Sequence, residues 1–192
     1  RKIYLPAIQR KYVWDDDQIT KLMDSIMLGY PVGTFLFWRV RKSIVNKKEY
    51  SMYEFIKDFH ERDMYRNPAA PQPFPVGNDE ESLWAVLDGQ QRLTSLYIAL
   101  QGSMGRKIPL KRWKNDDAFP QKELYFNLHS NVTDDEDLSY EFTFLTSNEA
   151  QNPKEDKLWY LVKNILKYTQ SELVKEVIIK NDWVADDLAM DN

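Results

Sequence analysis

Residues 82–102 constrain the fold more than any other stretch of this chain. Ser82 to Leu87 reads as a buried strand, and Asp88-Gly89 breaks it. Leu93, Leu96, Tyr97 and Leu100 then recur at helical spacing until Gly102. This strand–turn–helix unit places a helix N-terminus directly at the end of a strand. There the unpaired backbone N–H groups and the partial positive charge of the helix are exposed to a ligand.

The flanking elements follow from the same rules. Residues 3–14, with Pro6 among aromatics, form an extended lead-in or edge strand. Asp15, Asp16 and Asp17 offer caps for a helix marked by Ile19, Leu22, Met23 and Ile26, which Gly29 ends. Thr34 to Val40 reads as a strand. Met52, Phe55, Ile56 and Phe59 predict a helix near 49–62. Four of the nine prolines fall in 67–78, which reads as a surface loop dispensable for folding. Strands are expected at 123–128 and 140–145, joined by an acidic turn at 133–137. Leu158, Leu161, Val162, Ile165 and Leu166 predict another amphipathic helix, and Ser171 caps one running to about Lys180. The order is that of an α+β domain over 1–150, followed by the start of a helical C-terminal annex over 151–192.

Composition narrows the function classes. A chain of 192 residues that is 43% hydrophobic can bury a true core. No apolar run approaches membrane-spanning length, and no signal-peptide pattern opens the chain, as expected for a cytoplasmic protein. Without cysteine, disulfides, cysteine metal sites and cysteine nucleophiles are excluded. His60 and His129 lie too far apart in sequence for a two-histidine metal motif at helical spacing. Net charge is −4, yet residues 1–50 carry ten Lys/Arg against five Asp/Glu, so polyanion contact is expected in this N-terminal third. The chain begins with Arg1 and reads as a piece of a longer protein.

The chemistry concentrates in Leu87-Asp88-Gly89-Gln90-Gln91-Arg92-Leu93-Thr94. Gly89 lets the backbone approach a ligand, and Arg92 brings a planar fork suited to phosphate. Gln90 and Gln91 bring amide donors and acceptors, and Gln91 lies off the apolar stripe. Asp88 could position a metal ion or water, or serve only as the helix cap. Gln9-Arg10-Lys11-Tyr12-Val13-Trp14 is a second cluster, whose cations suit phosphate and whose aromatics could stack on a base or pack on the first helix. Gly29-Tyr30-Pro31-Val32-Gly33-Thr34 is a third, readable as an anion-accessible turn or an ordinary helix stop.

In their order and spacing, Leu5–Trp14, Ser25–Gly33 and Val86–Leu96 together resemble the N-terminal domain of GmrSD-type, modification-dependent restriction proteins. The resemblance is strongest over residues 1–100 and looser at 123–128, 140–145 and Trp159. It implies a ParB/sulfiredoxin-like fold and a domain that binds and hydrolyses a nucleoside triphosphate with Mg2+. That activity would regulate an HNH-type nuclease domain or subunit, absent from this chain, that cuts modified DNA. Homo-oligomerisation is also possible on this reading. Carried onto this sequence, Asp88, Gln91 and Arg92 become the catalytic residues, with Asp88 toward the metal. Gln9, Arg10, Gly33, Gly89 and Gln90 become the nucleotide-binding ones. Gln90 and Gln91 replace the acidic and first basic residues of the ParB Gly-Glu-Arg-Arg box, so metal and phosphate contacts need not match those of ParB. The rival readings are a DNA-sensing module without turnover and a ParB-like nuclease. The acidic remainder of the chain argues against the first, and the lack of a clustered carboxylate centre against the second.

Overall fold

A computed structural model describes residues 3–8, 10–47, 50–74, 82–130, 138–153, 157–169 and 172. It is a mixed α+β fold built on two mixed sheets. The first sheet runs β2 (Leu36–Arg41), β5 (Ser82–Asp88), β1 (Ile3–Pro6), β3 (Met52–Tyr53). Only its β1–β5 pair is parallel. The second runs β4 (Asp58–His60), β6 (Ser103–Gly105), β7 (Gln121–Asn127), β8 (Phe142–Leu145), and β9 (Trp159–Leu161) also pairs with β7. Here only β4–β6 is parallel. Helices α1 (Asp16–Met27) and α3 (Gln90–Gln101) share a core with the second sheet. The short helices α2 (Lys42–Asn46) and α4 (Ser147–Gln151) follow β2 and β8.

Each sheet has its own apolar cluster. Ile19 and Met23 of α1, Ile98 and Ala99 of α3, and Met104, Leu124, Phe142 and Phe144 of the second sheet form the larger one. Tyr4, Val40, Met52, Leu83 and Ala85 form the one on the first sheet, with Val45 of α2. Helix α1 starts on a complete capping box, in which Asp15 accepts from Gln18 N and the Gln18 side chain accepts from Asp15 N.

Several expectations are corrected. Residues 49–62 form no helix: Met52 pairs with Pro6 in the first sheet, and Phe59 lies on β4 in the second. The helical spacing of Met52, Phe55, Ile56 and Phe59 arises because this segment crosses between two cores and feeds both. Leu158–Leu166 is likewise not an α-helix, but strand β9 followed by a 3-10 turn at Val162–Leu166. Val162 of this turn is buried in the larger cluster. The acidic turn expected at 133–137 and, apart from Glu172, the helix expected from Ser171 to Lys180 lie outside the described residues.

The proline-rich segment is also more than a surface insertion. Over 67–74 its backbone pairs with β3: Glu54 N donates to Pro68 O at 2.8 Å and Ala70 N donates to Met52 O at 2.9 Å. Ala70 and Phe74 are buried, and Phe74 meets the Tyr4 ring edge-on at 5.1 Å. Asn46 brackets Phe74, its Nδ2 donating to Phe74 O and its Oδ1 accepting from Phe74 N, both at 2.8 Å. Asn46→Ala should leave both backbone groups unpaired, at a cost of about 2 kcal/mol. At roughly 2–4 °C per kcal/mol for a domain this size, a thermal melt should fall by about 4–8 °C. An unchanged melt would return the segment to the role of a tolerated loop.

Candidate functional site

The strand–turn–helix unit forms as expected, with its polarity reversed. The deeply buried face of α3 carries Gln90, Gln91, Thr94 and Ser95 ahead of Ile98 and Ala99. The apolar stripe is only half-buried. Leu96 and Leu100 pack at the margin of the larger core. Leu93 and Tyr97 line an open groove of about 480 Å³ with Ile3, Tyr4 and Phe55.

The buried amides of α3 are satisfied by the chain segment that follows β1. Gln90 Nε2 donates to Arg10 O at 2.8 Å. Gln91 Nε2 donates to Lys11 O and its Oε1 accepts from Val13 N, both at 3.0 Å. Gln91 thus makes a backbone-like pair of hydrogen bonds with the irregular segment between β1 and α1. One turn on, Ser95 Oγ and the Tyr12 hydroxyl share a 2.8 Å hydrogen bond in the core. Tyr12 is buried and meets Phe59 edge-on, so it is a packing residue and not a free stacking platform. Burial pushes its hydroxyl pKa well above the usual tyrosine range, so it stays protonated.

Arg92 serves the other side. Its guanidinium donates to Val32 O and, at 2.7 Å, to Thr34 O, and lies 5.0 Å over the Phe35 ring. The third cluster is therefore tied to the helix by an arginine latch. Two glycines make the approach possible. Gly33 has φ +85°, and a Cβ there would sit 2.1 Å from Arg92 Nη1. Gly89 has φ +83°, and a Cβ would sit 2.5 Å from Phe35 Cδ1. Both positions disfavour side chains on backbone grounds, and at Gly89 the Phe35 ring adds a contact, whereas a Cβ at Gly33 would displace the Arg92 guanidinium. Gly89 itself is the N-cap of α3, without a side-chain cap bond, so Asp88 is not the cap. Asp88 is the exposed last residue of β5, paired across from Leu36.

Of the residues singled out by sequence, the structure brings Arg10, Gly33, Gly89, Gln90, Gln91 and Arg92 to one helix end. Gln9 lies outside the described residues. Beside Arg10, a cavity of about 400 Å³ is lined by Leu5, Pro6, Ala7, Lys11, Tyr53, Arg66 and Asn67. Its cations Arg10, Lys11 and Arg66 have no carboxylate partner among the described residues. Lys11 and Arg66 flank the Tyr65 ring at 5.6 and 5.2 Å, and Asn67 Oδ1 is buried without a hydrogen-bond partner.

A family model described as the GmrSD restriction endonuclease N-terminal domain matches residues 1–189. The chain belongs to this family. This GmrSD N-terminal domain is also 29% identical over 139 residues to an uncharacterized protein, MJ0686, of Methanocaldococcus jannaschii. The match takes in 72% of this chain and 20% of that relative, so the chain spans about a fifth of the relative's length. Arg66 and Asn67 of the GmrSD domain escaped the sequence reading. Asn67 opens the 67–78 segment read as a surface loop and Arg66 directly precedes it, and the pairing of 68–70 with the β3 region brings both beside Arg10. No helix among the described residues is long and apolar enough to cross a membrane.

Proposed function

We propose that this domain binds a nucleoside triphosphate and hydrolyses it. We place it as the regulatory, ParB/sulfiredoxin-like part of a cytoplasmic restriction protein whose separate HNH-type nuclease cuts modified DNA. One observation carries the reading: three cations with no carboxylate partner among the described residues surround a cavity of about 400 Å³ next to the glutamine-clamped helix end. That volume is of the size that takes a small ligand. Arg10, Lys11 and Arg66 supply charge to the phosphates, and the buried Asn67 Oδ1 offers an acceptor to a donor on the nucleoside.

The motif residues divide the labour. Gln90 and Gln91 hold the backbone from which Arg10 and Lys11 project, so their part in binding is to position those cations. Arg92 holds the 32–34 loop against the helix. Asp88 is a single exposed carboxylate, and no group of three or more His, Asp or Glu that could hold a metal occurs among the described residues. One carboxylate suits Mg2+, which keeps its waters and takes its other ligands from phosphate oxygens. Such an ion would neutralise charge on the transferring phosphoryl group.

Calorimetric titration with nucleoside triphosphates in magnesium, paired with phosphate release, tests the assignment. Each charge-assisted hydrogen bond is worth about 1.5–3 kcal/mol, so Arg10→Ala and Arg66→Ala should each weaken binding roughly ten- to a hundredfold. Melts should be unchanged, because both side chains are exposed. Wild-type affinity in a folded Arg10→Ala/Arg66→Ala variant would remove the cavity from the site.

A further inference from the structure

A compact basic run also lies outside the N-terminal third. Arg106-Lys107-Ile108-Pro109-Leu110-Lys111-Arg112-Trp113-Lys114 holds five cations and no acid. It joins β6 to the 3-10 turn at Asp116–Ala118. Its base is firmly held: Ile108 N donates to Ala118 O at 2.8 Å, and Trp113 meets Phe119 edge-on at 5.2 Å. Arg62 ties down the far side through Trp113 O and, at 2.7 Å, Asp116. Arg106 is committed to Asp16 and Lys111 to Asp117, each at 2.7–2.8 Å. Lys107, Arg112 and Lys114 have no carboxylate partner among the described residues.

At the tip stands Leu110. It is 103% exposed, and its φ of +68° is the only positive value at a non-glycine position among the described residues. A leucine here has neither burial nor a comfortable backbone, and glycine or asparagine would suit the turn better. The braced loop therefore holds this side chain out in solvent.

We infer that loop 106–114 docks on duplex DNA, with Lys107, Arg112 and Lys114 on phosphates and Leu110 as an apolar wedge against a base step. The charge is complementary to a polyanion, and one apolar side chain flanked by cations is the pattern of wedge residues that unstack a base step. A membrane surface needs a broader apolar face than one leucine and a half-exposed tryptophan. The choice of DNA rests on the restriction reading above, whereas the loop and its residues are independent of the nucleotide cavity.

Fluorescence anisotropy of a labelled 20-base-pair duplex across a salt series, with the 192-residue chain, tests this. Arg112→Ala/Lys114→Ala should flatten the slope of log affinity against log salt by about 1.8, since each lost phosphate contact removes about 0.9. Leu110→Gly relieves the backbone and should melt no lower than wild type. It should nevertheless weaken duplex binding about tenfold, equivalent to about 1.4 kcal/mol, and abolish any fluorescence rise from 2-aminopurine placed in the duplex. Nucleotide titration of the same variants should match wild type, so failure of the cavity assignment and failure of the loop assignment read out separately. The inference is overturned if wild type shows no salt-dependent duplex binding, or if both loop variants bind duplex as wild type does. It is equally overturned if the variants lose binding only to phosphatidylserine vesicles, which would make the loop a membrane contact.

Discussion

Gly102→Ala is expected to abolish the cooperative unfolding of this domain. Gly102 closes α3 and leads directly into β6, with its N–H bonded to Ile98 O at 3.0 Å. A Cβ at this position would sit 1.8 Å from Lys57 O and 2.7 Å from Lys57 C. Those are backbone atoms, and they cannot swing aside as a side chain does. Lys57 O also accepts from Ser103 N at 3.2 Å, at the start of the parallel β4–β6 pair. Any shift that admits the methyl group must part these strands. It would also disturb Ser103, whose Oγ donates to Asp58 at 2.6 Å and accepts from Gln121 Nε2. Ordinary overpacking costs about 1–3 kcal/mol. A clash with fixed backbone belongs in the exceptional class above about 4 kcal/mol. Against a total stability of about 5–15 kcal/mol, that leaves a broad, low-temperature transition or none. Circular-dichroism melts decide it: a sharp transition within about 2 °C of wild type, less than 1 kcal/mol, would show that the β4–β6 junction yields.

Much of the frame was legible in the sequence, for identifiable reasons. The first helix carries its cap, its apolar period and its stop in consecutive residues, and forms over Asp16–Met27. Strands β2, β5, β7 and β8 lie close to where aromatic and β-branched runs placed them. Segment 49–62 misled because residues serving two different cores fell by chance on a helical period. Leu158–Leu166 misled because a three-residue strand and a 3-10 turn approximate the same period. The capping box of α4, formed by Thr146 and Glu149, was present in the sequence but precedes too short an apolar pattern to stand out. At the site, spacing identified the helix end. It could not show that the amides turn inward, because a glutamine buried on backbone partners and one turned to a ligand read alike in sequence.

That inward turn changes what the glutamine pair does, and Gln91 carries the second large expected effect. Its side chain is 7% exposed, and both ends are used, by Lys11 O and Val13 N. Gln91→Ala removes two hydrogen bonds and leaves a backbone donor and an acceptor unpaired, at a cost of about 3 kcal/mol. The melt should drop by roughly 6–12 °C. Nucleotide affinity should fall with it, since Arg10 and Lys11 lose their backbone restraint. Gln91→Glu separates positioning from direct phosphate contact. The new carboxylate can still accept from Val13 N, but it faces Lys11 O and is buried, which raises its folded pKa above the unfolded value of about 4.3. Below about pH 4 the acid is protonated in both states and can donate to Lys11 O. As pH rises, the unfolded chain releases the proton first, so the deficit relative to wild type grows until pH passes the folded pKa and then levels off. Chemical denaturation of Gln91→Glu and wild type at about pH 4 and pH 7 should therefore show a widening gap. A gap that stays constant with pH, in a variant whose nucleotide affinity alone has dropped, would make Gln91 a phosphate ligand instead of the clamp that holds Arg10 and Lys11 in place.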